Sequence, residues 1–473
     1  MAEAYWGLGN PAAGREHLQQ ALALLGWPAP TTRGRVVVSL LRQVLLQVLH
    51  RLWPARFAGR SRAESATFLE ATRAYMRLFE TYWFANEMLP LVHACIRALN
   101  LAENAGPSPE LARAYAVMCV SAGSMPQHAL AEMYGRRALE TAHRVNQLPA
   151  LAYALFMTGL YAIGVGQWAR VQETLDKAAE LFQRVGDRRL LGDTRTVLGM
   201  SALYQGEFKH SVQQFADVHT AGLRNDNIQH QVWGLIGKAE AVFRLGQIDE
   251  AVSLLETVLA LLAKHPDRAE ELRAWGLLAV VRLRRGEYLP AQQAAEKAAH
   301  LIAQLPSPTS HYLLEGYAGV AEVHLALWEV SSQLPAIERR ALVQRALHTC
   351  AALRRYAGVF PIGQPRAWLW QGWAEWLAGR PARAWKAWRK SLAAAERLAM
   401  TYEQGLAQYE LGRHFAPQDP ARQIHLVRAC ELFTQLGATY DLTRAQAASE
   451  SQQPERGDHL SRGAACSETG SLS

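Results

Sequence analysis

The sequence has 473 residues, half of them hydrophobic, and a formal net charge of +8. Its five cysteines have no paired spacing, which argues against a disulfide framework or a zinc site and favours a reducing compartment. The N-terminus has no basic leader before an apolar run, and we count no apolar run of the ~18–20 residues that cross a bilayer. We therefore expect a folded cytoplasmic protein without a membrane span.

Residues 1–30 match the second half of a helical-hairpin repeat that residues 86–306 define below. Gly9 fits the turn position of such a unit. The three inward-packing positions after the turn are occupied by Gly14, Leu18 and Ala21. A complete unit needs about 15 helical residues before its turn, yet only eight precede Gly9. We therefore expect a partial repeat, and expect the chain to be the C-terminal part, or a split-gene product, of a longer protein.

Residues 31–63 form a basic segment that interrupts the repeat. The stretch from His17 to Ala63 has no acidic residue and carries seven arginines: Arg33, Arg35, Arg42, Arg51, Arg56, Arg60 and Arg62. Three interpretations stay open: a solvated face on a packed helix, a surface that docks on an acidic neighbouring domain, or binding to nucleic-acid phosphates or an anionic membrane. The candidate partner-binding residues in this segment are Arg33, Arg35, Arg42 and Arg51.

The basic segment also predicts a helix. Thr31 and Thr32 can cap a helix from about Arg33 to Trp53, and Pro54 ends it. The apolar residues on one side of this helix are Val37, Leu40, Leu41, Val44, Val48 and Leu52. Such a side is the one that normally packs against the core.

Residues 64–445 carry the main pattern, which is strictly periodic from position 86 to 306. Turn-forming residues recur every 40 positions: Asn86, Pro126, Gly166, Gly206, Gly246 and Gly286. A second set lies halfway between them: Gly106, Asn146, Gly186, Asp226, Pro266 and Pro306. Two breakers per period leave two helices of about 15 residues each, and a repeat of this kind indicates a solenoid of stacked helical hairpins.

Side-chain size follows the same period. Seven residues before each turn there is a small residue: Gly159, Gly199, Ala239 or Ala279. The positions 5, 9 and 12 residues after each turn are apolar or small and share one helical stripe, as in Ser211, Phe215 and Val218. The residues expected to cap the following helices are Asp187, Asn227, Asp267 and Ser307. This alternation of large and small groups suits interdigitating helices.

Beyond position 306 the spacing loosens, with turns expected at Leu334, Gly379 and Pro417. Six tryptophans cluster there: Trp368, Trp370, Trp373, Trp376, Trp385 and Trp388. Most of this cluster suits core packing, while an aromatic surface for a partner peptide is the alternative, since tryptophan and arginine are enriched in binding hot spots. The candidate partner-binding residues are Trp373, Trp376, Trp385 and Trp388. Residues 446–473 are rich in serine and are expected to be a disordered tail.

Motifs for catalysis are weak. The stretch from Gly234 to Lys238 lacks the spacing of a phosphate-binding loop and lies inside a predicted helix, where its glycines suit helix packing. His210, His219 and His230 are separated by 9 and 11 residues and do not share a helical face. We therefore predict a protein that is not an enzyme, with no catalytic residues, no cofactor and no metal.

Three segments resemble one family. They are GREHLQQALALLGWP at 14–28, IRALNLAENAGPSPELARAY at 96–115 and YLLEGYAGVAEVHLALW at 312–328. Together they resemble the C-terminal tetratricopeptide-like (TPR-like) region of large bacterial signalling ATPases, over residues 1–440. In that family a class III adenylyl or guanylyl cyclase or a protein kinase precedes an AAA-type ATPase, and the catalytic residues lie in those upstream modules.

The resemblance implies a regulatory role, in which the repeats bind a partner and bias an upstream ATPase or cyclase. The expected fold is an all-α, right-handed α-solenoid of TPR-like hairpins with a period near 40 residues. The alternative is a free-standing adaptor that binds peptides or proteins in its concave groove. Either way the expected partners are proteins or peptides, and no nucleic acid is expected.

Overall fold

The computed structural model describes residues 11–52, 62–85, 87–305, 307, 308 and 310–450. All regular secondary structure in these ranges is helical. The α-helices are α1 (Pro11–Leu24), α2 (Arg33–Leu52), α3 (Arg62–Phe84), α4 (Met88–Ala105), α5 (Pro109–Ser124), α6 (His128–Val145), α7 (Leu148–Val165), α8 (Trp168–Val185), α9 (Arg188–Gln205), α10 (Phe208–Arg224), α11 (Ile228–Arg244), α12 (Ile248–Lys264), α13 (Arg268–Arg284), α14 (Tyr288–Gln304), α15 (Leu314–Glu329), α16 (Ala336–Val359), α17 (Gln364–Leu377), α18 (Pro381–Arg397), α19 (Thr401–His414), α20 (Pro420–Leu436) and α21 (Thr439–Glu450).

The 40-residue period is confirmed. Helices α7, α9, α11 and α13 begin 40 residues apart, and each is followed after a two- or three-residue turn by its partner helix, which makes four successive hairpins. The turn glycines at 166, 206, 246 and 286 have φ between 74° and 88°, a left-handed conformation that only glycine adopts without strain. The chain is therefore an all-α array of TPR-like helical hairpins.

The stripe predicted from side-chain size is also confirmed. The side chains at positions 5, 9 and 12 after the turns are buried in all four hairpins. A Cβ on Gly159 would lie 2.5 Å from Leu175 Cδ2, and one on Gly199 would lie 3.2 Å from the Phe215 ring. The small residue of one helix therefore accommodates the large residue of its partner, as ridges-into-grooves packing requires.

Three of the four predicted caps are present. The side chains of Asp187, Asn227 and Asp267 each accept a hydrogen bond from a backbone N–H in the first turn of the next helix. The prediction for Ser307 is wrong, because α15 begins only at Leu314, after a short 3-10 turn at His311–Leu313. The longer connection agrees with the loosening of the period beyond position 306. The later turns at Leu334, Gly379 and Pro417 lie between helices as expected.

In the partial repeat, Leu18 is buried as expected, but Ala21 is exposed and Leu22 takes the inward position. The helix ends in a tight turn at Gly26, one residue out of register with the later repeats. Gly9, Asn86, Pro306 and residues 451–473 lie outside the described residues. The boundary expected at 446 falls inside α21, which continues to Glu450.

The chain forms two compact units, whereas one solenoid was expected over residues 64–445. The first unit contains the described residues up to Ala162 together with Ala169–Thr194, and the second contains Ile163–Trp168 and the described residues from Arg195 onward. In the first unit, α2 packs on α4, α1 on α3, and the hairpins α3–α4 and α5–α6 follow. In the second unit the first helix of each hairpin is buried on nearly all sides, while the second helices keep an exposed polar face.

The count of apolar runs needs one correction. Helix α7, Leu148–Val165, has 18 residues without a charged side chain and is long and apolar enough to cross a membrane by length and composition. However, 72% of it is buried inside the protein, because as the first helix of a hairpin it is surrounded by other helices. Burial explains its composition.

Candidate interaction site

Helix α2 is oriented opposite to the sequence-based prediction. Its apolar side, expected to pack inward, is exposed: Val38 is 70%, Leu41 66% and Leu45 61% accessible. The residues that face the protein are instead Val36, Gln43, Gln47 and His50. The amphipathic pattern was read correctly, but the side that packs is the polar one.

Hydrogen bonds explain this orientation. The polar seam, as we call it, joins Ser39, Gln43, Gln47 and His50 of α2 to His93, Asn100 and Glu103 of α4. Gln47 Nε2 donates to Asn100 Oδ1 at 2.7 Å and to Glu103 Oε2 at 2.6 Å. Asn100 Nδ2 donates in return to the Gln43 side chain at 2.9 Å.

Both ends of the polar seam are closed by histidines. His50 Nδ1 lies 2.6 Å from Glu103 Oε2, and the Ser39 hydroxyl lies 2.9 Å from His93 Nε2. Buried polar groups must be hydrogen-bonded, so these pairs compel α2 to turn its polar side inward. Because the seam is polar along its length, the apolar side of α2 is left at the surface.

The four candidate arginines border this exposed side. Arg33, Arg35 and Arg42 are exposed. Arg51 Nη2 donates to the Tyr134 hydroxyl, and its guanidinium lies 5.3 Å from the centre of that ring. At about 100° of rotation per residue, Arg35 and Arg42 lie along one edge of the apolar side. Arg33 and Arg51 lie along the opposite edge.

Acid should weaken the first unit through His93. Burial, assisted by the Arg97 guanidinium, lowers the pKa of His93 to about 4. The unfolded imidazole titrates near 6.5, so the stabilisation is complete above that pH and is lost as the pH falls towards 4. At pH 5 the loss should be about 2 kcal/mol.

A His93→Gln variant isolates this contribution. Urea unfolding at pH 7.5 and pH 5 should show a pH dependence smaller by about 2 kcal/mol in the variant than in the parent. An equal pH dependence in the two proteins would contradict the assignment of a neutral, buried imidazole to this position.

The tryptophan cluster is largely internal to the second unit. Trp373 and Trp388 are buried, and Trp388 Nε1 donates to the Leu369 carbonyl at 3.2 Å. The Trp388 ring stacks on His414 with centroids 4.4 Å apart. Burial removes both side chains from any surface that a partner could contact, so they act as core residues of α17 and α18.

Trp376 and Trp385 are half-buried and flank Trp388. Trp376 contacts His414, with ring centroids 4.5 Å apart, and Trp385 contacts Phe415, at 4.3 Å. Exposed arginines lie in the same hairpin: Arg380, Arg383 and Arg389. The outer edges of the two half-buried rings are the part of the cluster that reaches the surface.

The second unit also contains a buried ionic cluster that sequence reasoning missed. Arg366 Nε and Nη2 donate to the Glu403 carboxylate at 2.9 and 2.7 Å, and its Nη1 lies 3.5 Å from Glu315 Oε1. Glu315 also accepts from Arg244. Arg273 pairs with Glu240 at 3.0 Å. These residues come from five different helices, so no local spacing could have announced the cluster.

The local environment sets the protonation of this cluster. Burial raises the pKa of the Glu240 carboxyl and that of Glu270, the latter to about 7. Burial acts in the same direction on Glu315, but the Arg244 and Arg366 guanidiniums outweigh it and hold the pKa of Glu315 below its usual value. Burial lowers the pKa of His311 to about 3, so its imidazole is neutral. The charged groups are thus matched to each other.

The weak motifs have structural explanations. A Cβ on Gly234 would lie 2.5 Å from the backbone nitrogen of His219, so this glycine serves the contact of α11 with α10. His230 is buried, while His210 is exposed. Among the described residues, no three His, Cys, Asp or Glu side chains come together as metal ligands would.

Comparison of the sequence with protein-family models finds no match, and comparison with curated proteins finds none. Among solved structures, the chain is similar to a Rap protein complexed with competence and sporulation factor. The identity is 12% and the TM-score 0.49, over 77% of this chain and 99% of that chain. A similarity of this size carries no functional argument, and the assignment of TPR-like hairpins rests on the helices themselves.

Proposed function

We propose that the chain is a non-catalytic regulatory scaffold that binds protein partners, and that it serves as the repeat region of a bacterial signalling ATPase or nucleotide cyclase. The observation that carries this proposal is the buried ionic cluster. Its arginines and carboxylates, the groups that would bind or transform a substrate, are paired with each other across the hairpins. They are therefore engaged in holding the second unit together.

The alternative is a free-standing adaptor with a peptide in its concave groove. Within the second unit, the first helices of the hairpins meet through their inner faces, as in the pairs Arg244–Glu315 and Arg366–Glu403. Tyr402 extends the same interior by donating to Asp441 at 2.8 Å. Because these faces contact each other, the proposal places partner recognition in this unit on its outer surface.

The outer edges of Trp376 and Trp385, together with Arg380, Arg383 and Arg389, are the surface that we assign to a protein partner. Tryptophan and arginine dominate binding hot spots because they combine a large apolar area with directional hydrogen bonding. The fully buried Trp373 and Trp388 support the two rings from below and fix their orientation. The partner would contact α17 and α18.

A calorimetric titration of the chain with Mg-ATP tests the non-catalytic assignment. We expect no heat above dilution and no phosphate release, because the arginines that could bind phosphates are paired with glutamates. Adding an AAA-type ATPase module encoded beside this gene should give a complex, and an Arg383→Glu/Arg389→Glu variant should bind that module more weakly. Micromolar binding of ATP by the isolated chain would overturn the proposal.

A further inference from the structure

We propose that the exposed side of α2 is a membrane-surface site that binds anionic lipid bilayers. The site consists of an apolar stripe, Val37, Val38, Leu41, Val44, Leu45, Val48 and Leu52, and the bordering Arg33, Arg35, Arg42 and Arg51. The helix would lie in the plane of the interface, with the stripe in the acyl boundary and the guanidiniums at the headgroups. This role goes beyond that of a protein scaffold.

The stripe has the form that an interfacial helix needs. Its residues recur at intervals of 3 or 4 along the helix, and every one of them is exposed. From Val37 to Leu52 it extends for about 22 Å at 1.5 Å per residue. A continuous exposed apolar side of this length on a folded protein indicates an interaction surface.

Charge identifies the partner. The stretch from His17 to Ala63 carries seven arginines and no acidic residue, and α2 has arginines along both edges of its stripe. Arginine side chains can lay their methylene stems along an apolar surface while the guanidinium reaches the polar layer. Two flanking rows of cations therefore fit a surface that is anionic on both sides of a buried rod, as phospholipid headgroups are.

The polar seam makes this use of α2 compatible with the fold. Gln43, Gln47 and His50 hold the helix through their bonds to Asn100 and Glu103. An amphipathic helix that packed through its apolar side would have to detach before it could insert. Here the apolar side is presented while α2 stays attached to α4.

Other occupants fit less well. A second copy of the chain would bring two arginine-bordered helices without acidic residues against each other, which like-charge repulsion opposes. A nucleic acid offers phosphates but nothing to cover seven valines and leucines. A protein groove is usually filled by aromatic anchors, and the stripe has none. A fluid bilayer requires only apolar area and cationic edges.

Co-sedimentation with lipid vesicles tests the proposal. The full chain should bind vesicles made of equal parts phosphatidylglycerol and phosphatidylcholine, and bind phosphatidylcholine alone far more weakly. An Arg35→Gln/Arg42→Gln variant should lose about five-fold in affinity for each arginine removed. Raising the salt concentration should weaken binding of the parent, because screening reduces the attraction of exposed charges.

A Leu41→Ser/Leu45→Ser variant should lose binding at unchanged charge, and these exposed positions leave the fold intact, which circular dichroism checks. The matched control is Ile337→Ser with Arg339→Gln and Arg340→Gln in α16, where Ile337 is 85% exposed; it should bind as the parent does. The proposal is overturned if the parent ignores anionic vesicles or if the serine variant still binds. It is also overturned if the parent forms a dimer that the serine variant abolishes, since the stripe would then be covered by a second copy.

Discussion

Replacing Arg366 by alanine should destabilise the second unit by about 3–5 kcal/mol, the loss typical of removing one member of a buried ion pair. Arg366 is buried and makes two hydrogen bonds to Glu403 and an ion pair with Glu315. Without it the Glu403 carboxylate is left in the interior with its main counter-charge removed. Glu315 keeps Arg244, so Glu403 bears most of the loss.

Urea unfolding of the parent and three variants measures this effect. Arg380→Ala is the matched control, because Arg380 is exposed and pairs with Glu375 at the surface, where such a pair contributes at most about 1 kcal/mol. An Arg366→Met/Glu403→Leu double variant should recover part of the loss, since it removes both charges and fills the space with apolar groups. If Arg366→Ala and Arg380→Ala unfold at the same urea concentration, the cluster does not hold the hairpins together.

The parts of the fold that the sequence predicted are those governed by local rules. A glycine at 166 or 206 marks a turn because of backbone sterics, and a glycine paired with Leu175 or Phe215 marks a helix contact because of volume. These constraints act within one hairpin, so the 40-residue period carries them openly. The ionic cluster obeys no such period, because residues 244, 315, 366 and 403 meet only after several hairpins have stacked.

Helix α2 shows a different limit of sequence reasoning. The amphipathic pattern locates two sides, and the usual rule buries the apolar one. That rule compares each side with water alone and ignores the surface on which the helix docks. Here α4 presents His93, Asn100 and Glu103, and polar groups of that kind require hydrogen-bonding partners when they are covered. The orientation was therefore encoded in α4 rather than in α2.

The tryptophan cluster was correctly expected to be mainly core, yet its exposed remainder could not be located from spacing. Trp373 and Trp376 are three residues apart and share a helical face, but the first is buried and the second half-buried. The difference arises because Trp376 lies in the last turn of α17, next to His414 of α19. Position along the helix, and not the face, decides exposure at this point.

Replacing Gly319 by alanine should destabilise the second unit by about 1–3 kcal/mol, the usual loss when a packed contact is overfilled. In a helix, alanine in place of glycine normally stabilises by about 1 kcal/mol, so the expected sign is reversed. A Cβ on Gly319 would lie 2.3 Å from the carbonyl oxygen of Gly276 in α13. The obstacle is backbone, which cannot rotate away as a side chain can, so α13 and α15 would have to move apart.

Two further glycines make this test specific. A Cβ on Gly276 would lie 2.6 Å from the Cα of Gly316 in α15, so Gly276→Ala should destabilise in the same way. A Cβ on Gly358 in α16 would have no neighbouring atom within 4 Å, and Gly358→Ala should therefore raise stability by up to about 1 kcal/mol. Urea unfolding of the three variants should place two below the parent and one at or above it. Three shifts of the same sign would mean that α13 and α15 do not meet through their backbones, and that the contact between these hairpins is looser than the glycines require.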